Sequence, residues 1–136
     1  MLLQPKKSKY KKLKKRYLKN QLLETKSFVL RHGTIGIKVL TAARFTARQI
    51  EALRQCVSRS LGRKGKIWIN VFPSIPVTAK PTENRMGKGK GSINYWSVPV
   101  KAGSILMEIA GVSTMESKLA LSKGAAKLPV KTKIVF

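Results

Sequence analysis

Ile67-Trp68-Ile69-Asn70-Val71-Phe72, then Arg85-Met86-Gly87-Lys88-Gly89-Lys90-Gly91, then Ile93-Asn94-Tyr95-Trp96-Ser97-Val98 follow one another through the middle of the chain. The outer two stretches are hydrophobic runs with strand character. The inner one alternates glycine with other residues and carries Arg85, Lys88, Lys90 and one soft apolar side chain, Met86, with no acid among them. Glycine allows positive φ and lets another molecule come close to the main chain. Cations at every second or third position on so bare a backbone suit phosphates. The stretch therefore reads as a long basic loop projected from a sheet and shaped to enter a nucleic-acid groove or cleft.

Nucleotide-binding loops of other kinds do not fit. No Gly-x-x-x-x-Gly-Lys-Ser/Thr can be aligned here, and Gly-x-Gly-x-Gly followed by a strand is not the dinucleotide fingerprint, which opens a helix. A plain solvated connection is the bland alternative, and total charge decides against it. The 136 residues hold 29 basic against 5 acidic side chains, a net charge of +24. Self-repulsion on that scale works against a compact state unless a polyanion neutralises it. With 43% hydrophobic residues the chain can still bury a core. Nucleic acid is the expected partner, and an anionic membrane surface is the competing one.

Catalytic chemistry finds little to work with. The acids are Glu24, Glu51, Glu83, Glu108 and Glu116, and aspartate is absent. The single cysteine, Cys56, excludes an internal disulfide and a cysteine-rich metal site. It lies in a helical pattern, where a small buried thiol is expected. The single histidine, His32, stands beside Gly33 at a turn and reads as a surface or RNA-contacting imidazole. Triads, metal clusters and paired carboxylates cannot be assembled from this set. Neither an enzyme nor a cofactor or metal is expected. No apolar run approaches the ~18 residues that span a bilayer, and no secretory signal opens the chain.

In chain order, residues 1–26 read as a basic arm. From Lys6 to Lys19 nine cations occur without an acid, interrupted by Tyr10, Leu13, Tyr17 and Leu18. Such an arm is expected to order on RNA, its tyrosines available for stacking. A basic peripheral membrane protein that uses the arm as an amphipathic anchor is the runner-up reading. A single α+β domain is expected over 27–136. Phe28–Arg31 and Ile35–Leu40 read as strands joined by a turn at His32-Gly33-Thr34. Thr46-Ala47-Arg48-Gln49 is a capping box. The helix it opens runs to about Leu61, with Ile50, Leu53, Val57 and Leu61 on the core stripe and Arg48, Arg54, Arg59 and Arg63 on other faces, open to an RNA backbone. Lys66–Phe72 reads as a strand with Trp68 in the core. Pro73, Pro76 and Pro81 suggest an extended but irregular stretch, and Ile93–Val100 and Ser104–Ala110 a hairpin. Ser113-Thr114-Met115-Glu116 opens a second helix with Met115, Leu119 and Ala126 on its buried stripe, and Val130–Phe136 closes the chain as a strand.

Most of this sequence resembles ribosomal protein sixteen of the large subunit in bacteria and organelles. The resemblance rests on Leu3-Gln4-Pro5-Lys6, on Thr46-Ala47-Arg48-Gln49-Ile50-Glu51-Ala52, on Gly65-Lys66-Ile67-Trp68-Ile69 and Val71-Phe72-Pro73, and on Lys80-Pro81 and Arg85–Gly91. Tyr95-Trp96, Gly111-Val112 and Ala125-Ala126-Lys127-Leu128-Pro129-Val130-Lys131-Thr132 complete it. The resemblance implies an α+β domain, a mostly antiparallel sheet with two helices packed on it. It also implies a structural, non-catalytic place in the large ribosomal subunit, on its rRNA near the peptidyl transferase centre and the aminoacyl-tRNA site.

By that likeness Arg85, Met86, Gly87, Lys88, Gly89, Lys90 and Gly91 would face rRNA and tRNA. Lys6, Lys7, Lys9, Tyr10, Lys11, Lys12, Lys14, Lys15 and Arg16 of the arm are assigned to rRNA, with Arg44, Arg48, Arg59, Arg63 and Lys131 of the domain. Partners would be large-subunit rRNA, tRNA and neighbouring ribosomal proteins, with neither a membrane nor a second copy of the chain. The arm departs from the family in its lysine content, and the excess of lysine over arginine suggests an A+T-rich genome. A mitochondrial ribosome with an organelle-encoded gene is the expected setting, with bacterial cytoplasm or plastid as alternatives. A chain that starts on the family's opening motif is expected to be made without a presequence.

Overall fold

The computed structural model describes residues 3–14 and 27–136. Among the described residues seven strands and two helices follow in the order β1 (Ile35–Val39), β2 (Ala43–Thr46), α1 (Ala47–Ser60), β3 (Lys66–Ile69), β4 (Ile75–Ala79), β5 (Ser92–Val100), β6 (Ile105–Ala110), α2 (Thr114–Ala125) and β7 (Thr132–Val135). They form an antiparallel four-stranded sheet, β3-β6-β1-β7, and an antiparallel three-stranded sheet, β2-β5-β4. The expected α+β class, with two helices and antiparallel strands, is what the chain adopts, but the strands form two sheets where one was expected.

Strands β1 and β6 lie at the centre of the larger sheet and are covered on both faces. Register places Ile35 opposite Ile109 and Ile37 opposite Met107, with Ile67 and Ile69 of β3 and Ile134 of β7 in the same rows. This face joins Phe45, Ile50, Leu53, Val57, Ala120 and Leu121 in one hydrophobic core. The other face carries Gly36 and Glu108, and here the expected strand Phe28–Arg31 does not form. Residues 27–33 instead cross the sheet as a lid. Ser27 O accepts from Ile105 N at 3.0 Å. A Cβ on Gly36 would lie 2.7 Å from Leu30 Cδ2, so the lid rests directly on the sheet there.

What fixes the lid is a carboxylate. Glu108 is wholly buried, and its Oε2 accepts from the N–H groups of Arg31, His32 and Gly33 at 3.1, 2.7 and 2.7 Å. Its Oε1 accepts from Asn70 Nδ2 at 2.5 Å. The N–H groups that a Phe28–Arg31 strand would need at its end are therefore committed to a side chain. Gly33 is required by crowding, since a Cβ there would meet Ile109 O at 2.7 Å and Glu108 Cβ at 2.8 Å. Trp68, expected in the core, is only half-buried; it pairs with Glu108 across the ladder and stacks against His32 with ring centroids 5.9 Å apart. The strand expected over Lys66–Phe72 is regular only to Ile69, although Asn70 N still donates to Leu106 O of β6 at 2.9 Å.

Helix α1 forms as read. Gln49 N donates to Thr46 Oγ1 at 3.2 Å and Thr46 N to Gln49 Oε1 at 2.9 Å, and Ile50, Leu53, Val57 and Leu61 are buried. Helix α2 was expected to bury Met115, Leu119 and Ala126. It buries Ser117, Ala120, Leu121 and Gly124 instead, while Met115 and Leu119 are 78% and 59% exposed. The reason is the crossing with α1: a Cβ on Gly124 would lie 2.7 Å from Val57 Cγ2 and 2.8 Å from Leu53 Cδ1. Small residues let the two axes approach; Leu121 is the large apolar side chain that α2 buries, and Met115 and Leu119 are left outside. Of the second capping box only the forward bond is present, Glu116 N to Ser113 Oγ at 3.4 Å.

Two further expectations fail for one reason. Strands β5 and β6 are not a hairpin but belong to different sheets. Lys101–Gly103 carries the chain between them, and Gly103 N donates to Val39 O at 2.7 Å while Val39 N donates to Ser104 O at 2.9 Å. β5 pairs instead with β4, formed inside the proline-containing stretch that was expected to be irregular. Pro76 is tolerated there because β4 is an edge strand, where a missing N–H costs no ladder bond on the open side.

The Glu108 network has a measurable signature. Burial opposes ionisation of Glu108, but the bonds from Gly33, His32, Asn70 and Arg31 outweigh it, so the carboxyl is held below its ordinary value of 4.5. A carboxyl with a lowered folded-state pKa stabilises the fold above its unfolded pKa and loses that contribution as pH falls through the folded one. Glu108→Ala is expected to cost about 3 kcal/mol or more at neutral pH, since buried donors are left unmade. Denaturant midpoints taken across the acid range are expected to fall for the parent chain and to be flatter for Glu108→Gln. A midpoint unchanged by Glu108→Ala would show that the lid is not held by this carboxylate.

Candidate nucleic-acid interface

The basic loop occupies residues 80–91, between strands whose last paired residues are Ala79 and Ser92. It is thus the excursion of a β4–β5 hairpin, and residues 80–90 are exposed throughout. Gly87, Lys88 and Gly89 have φ of +97°, +54° and +79°. Three consecutive left-handed residues coil the main chain tightly. Nothing lies within 4 Å of a Cβ built on Gly87 or Gly89, so these two are glycine for conformation and not for space. Gly91 is the opposite case: its Cβ would fall 2.3 Å from Ala79 O, where the loop closes on β4.

Lysines hold the loop from inside. Lys80 Nζ donates to Gly87 O at 2.5 Å. Lys90 Nζ donates to Leu13 O, and Lys12 Nζ donates to Lys90 O at 2.6 Å, so arm and loop are tied reciprocally. Lys90, assigned to phosphates by sequence, is thereby partly engaged within the protein. Arg85, Met86 and Lys88 point outward, and Met86 is fully exposed. The loop encloses an open hollow of about 550 Å³ lined by Lys80, Arg85, Lys88 and Lys90 among others, with Glu83 as its one acid.

The described part of the arm lies on the domain at both of its ends. Leu3 is buried in the hydrophobic core. Leu13 and Lys14 line a hollow of about 200 Å³ with Arg44, Ile75, Pro76, Val77, Thr78 and Lys90. Arm, loop and Arg44 are thus brought to one side of the small sheet. Between these ends Lys6, Lys7, Lys9, Tyr10, Lys11 and Lys12 are exposed, and Lys9 Nζ lies 5.7 Å from the Tyr10 ring centroid. Lys15, Arg16, Tyr17 and Leu18 fall outside the described residues.

The other assigned cations are elsewhere. Arg48 opens α1 and lines a cleft of about 590 Å³ with Leu3, Gln4, Asn94, Tyr95 and Trp96. Arg59 lies between the helices, Arg63 follows α1 with a left-handed φ of +64°, and Lys131 is exposed where its carbonyl receives Leu40 N at 3.1 Å. Arg54 is bound to Glu51 at 2.6 Å. Cys56, expected to be buried, is half-buried in the groove that also holds Arg59. Among the described residues no cluster of His, Cys, Asp and Glu could hold a metal ion. Sequence reasoning missed Lys80 as a brace and Lys123 and Lys127 beside Arg59; contacts that join residues so distant in the chain leave no local pattern.

The family model for ribosomal protein L16p/L10e matches residues 5–135. The chain is 49% identical over 134 residues to large ribosomal subunit protein uL16 of Cereibacter sphaeroides, covering 98% of this chain and 96% of that protein. It is 50% identical, with the same coverage, to the protein of that name from Maricaulis maris, and 49% identical to that of Psychrobacter cryohalolentis. The chain belongs to the ribosomal protein L16p/L10e family.

The two lysines at positions 88 and 90 are expected to behave differently. Lys90→Ala removes a tie to Leu13 and should speed hydrogen exchange at residues 80–91 and around Leu13, whereas Lys88→Ala should leave exchange there unchanged. Both substitutions are exposed and should alter stability by no more than ~0.5 kcal/mol. Equal exchange in the two variants would show that Lys90 braces nothing.

Proposed function

We propose that this chain is a structural constituent of the large ribosomal subunit that binds large-subunit rRNA near the peptidyl transferase centre and the aminoacyl-tRNA site. The relatives named above are all large ribosomal subunit proteins, which supports the subunit. The observation that carries the finer reading is the loop: an exposed basic turn, left-handed at Gly87–Gly89, braced by Lys80 and by the arm, and presenting Arg85, Met86 and Lys88 outward. Such a projection delivers cations to phosphates with little ordering left to do on binding. Residues 1–26 act as an rRNA-binding arm and 27–136 as the domain that carries it. Neighbouring ribosomal proteins are the remaining partners, and peptide-bond chemistry stays with the RNA.

A bacterial-type ribosome is the setting. The relatives are bacterial, and the lysine excess is the one feature that speaks for a mitochondrial ribosome. Among the described residues no helix is long and apolar enough to cross a bilayer; the competing peripheral-membrane reading rests on the arm, of which residues 15–26 lie outside the described residues.

Two measurements test the proposal. Affinity of the free protein for rRNA fragments should fall by orders of magnitude between ~50 and ~200 mM salt if ~6 or more cations neutralise phosphates. A flat response would remove the electrostatic basis of the reading. Ribosomes carrying Arg85→Ala with Lys88→Ala should assemble with a stable protein and bind aminoacyl-tRNA on the order of tenfold more weakly, the scale of one lost charge-assisted contact. Normal tRNA binding in those ribosomes would reduce the loop to a solvated connection.

A further inference from the structure

The two helices cross at Gly124, and beside that crossing they leave a groove of about 440 Å³ lined by Ala52, Gln55, Cys56, Arg59, Ser60, Lys123 and Lys127. Its composition is one-sided: three cations, two neutral hydrogen-bonding side chains, a small floor residue and a thiol, with no acid. By contrast the larger cleft at the start of α1 is lined by Arg48 together with Glu51. Glu51, the one acid of α1, is bound to Arg54 at 2.6 Å and receives Gln55 Nε2 at 3.1 Å.

From this geometry we infer that the α1–α2 groove is a second RNA-backbone site, separate from the glycine-lysine loop, in which Arg59, Lys123 and Lys127 take the phosphates of one strand. The inference rests on the ribosomal reading given above and adds to it a surface and two ligands, Lys123 and Lys127, beside the already assigned Arg59. Arg59 offers a planar fork suited to a phosphate and the lysines offer point charges. Ser60 and Gln55 can add hydrogen bonds to phosphate or ribose oxygens. The chemistry recognised is a phosphodiester chain and not a base, since no aromatic side chain lines the groove.

The groove depends on the same helix contact that the fold depends on. Gly124 brings α2 close enough to α1 for cations of both segments to face a single channel: Lys123 lies in the last turn of α2 and Lys127 just beyond its end. A larger residue at the crossing would move these cations apart.

Cys56 supplies the reporter, because it is the single cysteine of the chain and lines the groove. An iron–EDTA hydroxyl-radical source tethered to Cys56 of the full-length protein, assembled into large subunits, should cut the rRNA in one compact cluster of nucleotides. The control carries the same source at Met86→Cys in a Cys56→Ser background. Cuts from residue 86 and none from Cys56 would overturn the groove while leaving the ribosomal reading intact; cuts from neither would remove both. Should the tether keep the protein out of subunits, the triple variant Arg59→Ala, Lys123→Ala, Lys127→Ala decides. Its slope of log affinity against log salt for rRNA should be shallower by about 2 to 3, one step per phosphate released. An unchanged slope would refute the groove as a phosphate site.

Discussion

The carboxylate of Glu108 sits where a chain of net charge +24 can least easily be without an anion, at the centre of its main sheet. Burying an ionised group is costly unless hydrogen bonds replace its water. Here four donors do so, three of them backbone N–H groups from one turn of the lid. The arrangement decides two features together: Gly33 must be glycine, and residues 27–33 form a lid and not a strand. His32 and Trp68 then close over the site as a stacked pair, with Lys66 Nζ 5.1 Å from the Trp68 ring centroid. The larger sheet is thereby covered on both faces, by helices on one and by the lid on the other.

With that sheet fixed, the rest is positioned by close contact. Gly124 lets α2 rest on α1, and α1 follows β2 without an intervening loop. β2 in turn pairs with β5, whose other side carries β4 and so the basic loop. The chain of contacts from Glu108 to the base of the basic loop, at Ala79 and Ser92, therefore passes through regular structure. A loop that must present cations at a defined place benefits from such an anchor, since precision falls when a site is carried on unsupported segments.

Much of this was legible in the sequence, and the misses share a cause. The capping box at Thr46, the stripe Ile50–Leu61, the apolar rows of the central strands and the exposed glycine-lysine loop are local patterns, with the periodicity of helix or strand written into them. Phe28–Arg31 also looked like a strand, because its residues have strand propensity; nothing nearby revealed that its neighbours' N–H groups would turn to a glutamate far along the chain. For α2 the large apolar residues were taken as the buried stripe, whereas a close helix crossing selects the small ones, Ser117, Ala120 and Gly124. Pairing of β5 with β4 and not β6 was hidden by Pro76, which argued against a strand without excluding an edge. In the interface, the loop's cations could be read, but their division into braces and outward ligands could not.

That division bears on how the interface works. A non-glycine residue in the left-handed region is disfavoured by roughly 1–2 kcal/mol, and Lys88 is held there between two glycines that reach the same region freely. Such backbone strain persists only where the surroundings impose it. Lys80 on Gly87 O, and Lys90 with Lys12 across to the arm, are the surroundings in question. Two kinds of lysine thus serve one loop: Lys80, Lys90 and Lys12 spend hydrogen bonds on main-chain carbonyls of the loop and arm, while Lys88 is left exposed at the tip. If the shape were instead imposed by RNA, positive φ at Lys88 would have no support in the free chain. The internal bonds supply that support, so the loop holds its geometry without a partner.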